Sequence, residues 1–200
     1  MPKFLHVGCG QKRKNQTTKG FNSPNWDEVR FDIDGAVNPD ITGTILDMNN
    51  VSSGTFDAVY SSHNIEHVYP HEVAIALKEF SRVLKPEGFV VITCPDLQSV
   101  CELVAKDQLL EPAYTSPAGP ITPLDILYGH RPALQRGNYY MAHKCGFTLN
   151  ALISVLRAHG FRSVAGKRRE KPFFDLFVIG FKSQIDEAQL RKVALQHFPQ

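Results

Sequence analysis

Two glycines and a carboxylate are the residues of this chain best spaced to do chemistry. Gly8-Cys9-Gly10 closes a short apolar run, Lys3-Phe4-Leu5-His6-Val7, and Arg30-Phe31-Asp32-Ile33-Asp34 follows about twenty residues later, which is the spacing of a nucleoside-binding α/β domain. Glycine lets the backbone turn sharply and approach a ligand with no Cβ in the way, and a carboxylate at the tip of the next strand accepts hydrogen bonds from both hydroxyls of a ribose. Side chains alternate along a strand, so one of Asp32 and Asp34 faces the crevice. Asp32 is the expected ribose ligand and Asp34 the alternative.

The ligand need not be a dinucleotide. A pyrophosphate-binding fingerprint requires a third glycine opening a helix, and Arg13 stands at that position. Residues 11–20 have no apolar face at helical spacing and read as a polar loop. No Gly-Lys-Ser/Thr follows, which excludes a P-loop. A ligand with a ribose and little need for phosphate binding remains, and S-adenosylmethionine fits that description.

Histidines supply the other candidates. His63 and His67 flank Glu66, but they share a face only if that stretch is helical, and no third ligand stands nearby, so no metal is expected. His143, in Tyr140-Met141-Ala142-His143-Lys144, is a general-base candidate outside the glycine and acid motifs, with a plain hydrogen-bonding role as the alternative.

These groups need a scaffold, and 200 residues with 42% hydrophobic content suit one core rather than two domains. Strand-like runs over 4–7, 29–33, 43–46, 56–61 and 89–93 alternate with helix-like runs over 73–84 and 96–105, the pattern of a doubly wound α/β sheet. Lys85-Pro86-Glu87-Gly88 reads as the turn ending the first of these helices, and Asp96 as the cap of the second. A helix over 147–159 and strands over 161–165 and 173–181 complete the domain, 1–183, and residues 184–200 form a tail that folds as a short helix or frays. Between them, about 111–146, five prolines with Gly119, Gly129 and Gly137 alternate with Tyr114, Tyr128, Tyr139, Tyr140 and Met141. Such an irregular insertion is expected as a substrate lid suited to an apolar or aromatic ligand.

A net charge of +2 gives no general mandate for nucleic acid, although Lys12-Arg13-Lys14 and Lys167-Arg168-Arg169 are local basic clusters. Cys9, Cys94, Cys101 and Cys145 form no Cys-x-x-Cys pair, which suggests reduced thiols. No apolar run is long enough to span a bilayer, and Gly8 comes too early for a signal peptide, so a cytoplasmic location is expected.

Together these motifs resemble the class I S-adenosylmethionine-dependent methyltransferases, in particular the branch with a shortened first helix. Leu5-His6-Val7-Gly8-Cys9-Gly10 resembles their first motif, Phe56-Asp57-Ala58-Val59-Tyr60-Ser61-Ser62-His63-Asn64-Ile65-Glu66-His67 their fourth-strand motif, and Glu79 to Phe89 their following helix and strand. The resemblance implies a Rossmann-like, mostly parallel sheet, S-adenosylmethionine as cofactor and direct methyl displacement onto a small molecule. It further implies that Gly8, Cys9 and Gly10 line the methionine part, that Asp32 holds the ribose, and that Asp47 and Met48 meet the adenine. Ser61, Ser62 and His63 then flank the sulfonium, and His63 and His143 are the catalytic candidates. For Asp47 a turn before Asn49-Asn50 is the alternative. The readings left open are a cofactor-binding protein without methyl transfer and a nucleic-acid or protein methyltransferase.

Overall fold

The computed structural model describes residues 1–169 and 171–199, so Gln200, the end of the expected tail, lies outside the described residues. Nine strands form among the described residues: β1 Lys3–Val7, β2 Asp27–Asp32, β3 Ile41–Thr42, β4 Phe56–Ser62, β5 Leu84–Pro95, β6 Tyr114–Ser116, β7 Gly119–Ile121, β8 Ser163–Arg168 and β9 Asp175–Phe181. The helices are α1 Val73–Val83, α2 Leu97–Val104, α3 Pro123–Tyr128, α4 Arg131–Gln135, α5 Leu149–Ala158 and α6 Glu187–His197. Seven strands make one sheet in the order β3-β2-β1-β4-β5-β9-β8. β1, β2, β3, β4 and β5 pair in parallel, and β9 runs antiparallel to both β5 and β8. The strand order therefore reverses between β1 and β4, the place where an open α/β sheet leaves a crevice at its strand ends.

Period-two alternation divides the core between the two faces of the sheet. Leu5, Val7, Val59, Val90 and Ile92 pack toward α1 and α5 with Leu77, Phe80, Leu152 and Leu156. Phe4, Ala58, Tyr60, Phe89 and Val91 pack on the other side with Phe21, Ala194 and the partly buried Trp26. That second face lacks the helix that would follow β1. Only a three-residue 3-10 turn, Lys14–Gln16, lies between β1 and β2, because the stretch after Gly10 has no apolar stripe to bury. Phe21 supplies the cover instead, stacked on Phe4 at 4.3 Å between ring centroids, and α6 completes it with Ala194 and His197 buried.

Several expected boundaries move. The strand expected over 43–46 is replaced by the short β3: the Gly43 N–H donates to the Asp32 carbonyl, and the chain then closes a turn from Thr44 to Asp47. Residues 85–88 are not a simple turn but loop out between the pairs Phe56–Leu84 and Ala58–Phe89, as a bulged entry to β5. The expected strand starts at Phe161 and Phe173 fall at Ser163 and Asp175, leaving Phe161 and Phe174 as buried anchors outside the strands. The insertion is more regular than its composition suggests. It holds the β6–β7 hairpin, α3 with a Thr122–Asp125 capping box, and α4. Residues 187–197 fold as a docked helix and do not fray.

Candidate functional site

The glycine turn and the acid form one unit. Gly8 and Gly10 adopt φ of +61° and +52°, and the Gly10 N–H donates to Asp32 Oδ2 at 2.8 Å while the Asp34 N–H donates to Oδ1 at 2.9 Å. Arg30, fully buried, holds the turn from below: its guanidinium donates to the carbonyls of Lys12, Asn38, Gly10 and Val37. A Cβ on Gly8 would lie 2.5 Å from the Asn64 side chain, so the loops after β1 and β4 meet at bare backbone.

Around this turn an open crevice of about 330 Å³ runs along the ends of β1, β2 and β4. Gly8, Gly10, Asp32, Asp34 and His63 line it, so both aspartates reach the crevice where strand alternation led one alone to be expected there. Its far wall is built by Thr44, Ile45 and Leu46 rather than by the expected Asp47 and Met48. Met48 is completely buried in the core, its N–H donating to Glu79 and its carbonyl accepting from Arg82. Asp47 faces its own turn and accepts from the Asn49 N–H. Cys9 is likewise buried, between the two glycines that do line the crevice, and burial pushes its thiol up to about 11. Ser61 points with Val59 into the helix-side core, and Ser62 points to the opposite face, where it accepts from the Thr93 hydroxyl at 2.9 Å. In each case alternation along a strand or loop turns the side chain away from the crevice.

His63 occupies the junction. It sits at φ +49° just beyond β4 and borders both the crevice and a second, polar groove lined by Ser62, Lys12, Arg169 and Asp175. Its Nδ1 lies 3.5 Å from Glu66 and its Nε2 3.4 Å from Asp175, with the side chain 42% exposed. Desolvation pulls its pKa downward, but Glu66 and then Asp175 outweigh it and hold the imidazole above its ordinary value.

His143 is elsewhere. Its Nδ1 donates to the Ile126 carbonyl at 2.7 Å, it borders a second cavity under α2 and α3 rather than the crevice, and burial lowers its pKa. There it meets Glu66 and His67, and the three offer donor atoms within 4.8 Å of one another. The expectation that the His63–His67 stretch lacks a third partner is thereby corrected. Ile65–His67 is a 3-10 turn, and the third group comes from the insertion by tertiary contact.

Sequence reasoning missed Thr44, Asn138 and Lys144 as crevice-lining residues, and named Asn64 only inside the fourth-strand motif and Tyr140 and Met141 only as part of the expected lid. A fold contact rather than local spacing brings the insertion residues there. The basic clusters are largely engaged: Lys14 donates to the Ser23 and Trp26 carbonyls, Arg168 pairs with Asp96, and Arg169 with Asp175. No helix of the described residues is long and apolar enough to cross a membrane.

Residues 5–92 match the model of a methyltransferase domain. Among solved structures, the chain is similar to an S-adenosylmethionine-dependent methyltransferase from Archaeoglobus fulgidus, at 16% identity over 90% of this chain and 86% of that one, TM-score 0.59. It is also similar to the 1,6-didemethyltoxoflavin-N1-methyltransferase of Burkholderia thailandensis, at 16% identity over 92% and 72%, TM-score 0.59. A third likeness is to a methyltransferase from Methanosarcina mazei, at 16% identity over 90% and 92%, TM-score 0.59. No curated protein matches the chain. The glycine turn and the acid on β2 fall within the stretch that the methyltransferase-domain model matches, and the chain has the Rossmann-like fold of the S-adenosylmethionine-dependent methyltransferases it resembles.

Proposed function

We propose that this enzyme methylates a small molecule, with the cofactor in the crevice and the acceptor in the polar groove on the other side of His63. The carrying observation is that one side chain, His63, borders both spaces. The crevice suits the cofactor on its own geometry. Its volume of about 330 Å³ falls within the roughly 300–1,000 Å³ of small-molecule and cofactor clefts. Gly8 and Gly10 present backbone with no side chain, and each oxygen of the buried Asp32 carboxylate accepts one N–H and keeps a lone pair for a ribose hydroxyl. Thr44, Ile45 and Leu46 are the residues we assign to the adenine, and Asn138, Tyr140 and Met141 the ones that close the crevice.

S-adenosylmethionine, when bound, supplies an electrophilic methyl carbon on a sulfonium. The chain then has to hold a nucleophile in line, and alignment of two bound reactants is worth about 7–11 kcal/mol at its upper end. His63 is the residue we assign to the acceptor's proton, since Glu66 and Asp175 on either side favour its charged form, and general-base help of this kind adds roughly a hundredfold or more. The groove's volume of about 310 Å³ supports a small acceptor, and the 1,6-didemethyltoxoflavin-N1-methyltransferase that the fold resembles acts on one. The engaged basic clusters argue against nucleic acid. Four free cysteines support a reducing, cytoplasmic setting.

Calorimetry with S-adenosylmethionine, its homocysteine product and NAD tests the assignment. The first two are expected to bind and NAD not to, with Asp32→Ala weakening them by about 1–3 kcal/mol. Equal binding of NAD, or no binding of the sulfonium compound, overturns the proposal.

A further inference from the structure

We propose that Glu66, His67 and His143 form a binding site for a divalent first-row transition metal ion, of which Zn²⁺ is the type. Three independent features of the cluster point the same way. First, Glu66 is 1% exposed and neither carboxylate oxygen has a hydrogen-bond partner, its nearest ionic neighbour being His63 Nδ1 at 3.5 Å. A buried carboxylate without hydrogen bonds is costly, and a coordinated cation is one of the few things that resolves it.

Second, both imidazoles are already oriented. His67 Nδ1 donates to the Ala142 carbonyl at 3.0 Å and His143 Nδ1 to the Ile126 carbonyl at 2.7 Å. A carbonyl only accepts, so Nδ1 carries the proton in each ring and Nε2 is left with a free lone pair. This outer hydrogen bond from the far nitrogen to a carbonyl is the arrangement that fixes the tautomer of metal-binding histidines. The two rings lie edge to face, 4.9 Å between centroids.

Third, the backbone that carries the three groups is tied together without them. The N–H groups of Lys144 and Cys145 both donate to the Glu66 carbonyl, at 2.8 and 3.2 Å. Donor atoms within 4.8 Å of one another need to close by about an ångström to reach the spacing set by bonds of 2.0–2.2 Å. Side-chain rotation is enough for that when the backbone is fixed. Two imidazoles and one carboxylate suit zinc and its neighbours rather than calcium or magnesium, and three protein ligands leave a further position for water. Glu66 and His143 border the cavity under α2 and α3 while His67 borders the crevice, so the ion sits in the wall between them and clamps the insertion onto the loop after β4. The competing arrangement is a metal-free cluster in which the carboxylate holds an imidazolium.

The test uses the full chain without an affinity tag, stripped with chelator and titrated with Zn²⁺ by calorimetry and with Co²⁺ by visible absorption. One equivalent per chain, a Co²⁺ spectrum of low-coordinate nitrogen and oxygen ligation, and an affinity reduced at least a hundredfold in His67→Ala and His143→Ala are expected. His71→Ala, outside the cluster, is expected to bind like the parent. Wild-type protein that binds neither ion, or binding that survives in folded His67→Ala and His143→Ala, overturns the proposal. Both readouts are independent of methyl transfer, so failure here leaves the cofactor assignment standing.

Discussion

Gly10 and Asp32 are joined by a hydrogen bond of 2.8 Å, so the acid that lines the crevice also fixes the turn beside it. A residue with two such duties is a poor probe of chemistry. His63 is a better one, because it borders both crevice and groove and is not needed to hold either glycine. His63→Ala is expected to lower kcat by about a hundredfold, the usual worth of a positioned base, while cofactor affinity stays within about threefold, a change of less than one kcal/mol. Single-turnover kinetics beside calorimetry checks the split. Loss of affinity with unchanged kcat at saturation would make His63 a wall of the crevice and nothing more. His143 differs in kind: its imidazole borders the cavity under α2 and α3, and its far nitrogen is committed to Ile126. The sequence offered both histidines equally, since nothing local separates a residue at a strand tip from one delivered by an insertion.

At the scale of elements the insertion is held by a backbone contact that only glycine permits. Gly129, the residue after α3, has φ +103°, and a Cβ there would lie 2.1 Å from the Met141 carbonyl oxygen. Gly137 also has positive φ, +85°, but faces open space. Gly129→Ala is therefore expected to carry both a steric conflict and a backbone strain of about 1–3 kcal/mol, and Gly137→Ala the strain alone. Limited proteolysis of residues 123–146 should be much faster in Gly129→Ala than in Gly137→Ala; equal rates would mean that Met141 yields freely. The parallel strands were legible from their periodicity and turn residues, as were Asp96 as a cap and Asp32 as a crevice acid. The far wall of the crevice was not. Ile45 and Leu46 read as strand, but the Gly43 hydrogen bond to the Asp32 carbonyl closes β3 early and sends them into a turn. The order inside the insertion was hidden for a related reason: its short helices depend on a capping box and on packing against Val100 and Phe174, not on a long apolar period.

The whole molecule is closed by its C-terminal helix, which covers the sheet face that the missing first helix leaves bare. His197 is the plug. It is 3% exposed, its Nδ1 lies 2.7 Å from the Thr18 hydroxyl, its ring stacks at an angle on Phe21, and Gly20 passes so near that a Cβ would lie 2.6 Å from it. Burial alone lowers its pKa to about 4, whereas an unfolded chain protonates histidine near 6.5. Between these values the unfolded state binds a proton that the folded state refuses. Stability therefore falls as pH falls through this window, by about 3 kcal/mol at 1.36 kcal/mol per unit, and it does not change on this account above about pH 7. Urea unfolding from pH 7 to 4 is expected to show that slope in the parent protein and to lose most of it in His197→Gln, which keeps a polar partner for Thr18 but cannot titrate. Parallel slopes in the two proteins would mean that the helix lifts away before the ring is protonated, so that the loop after β1 and α6 open as a separate unit instead of unfolding with the sheet.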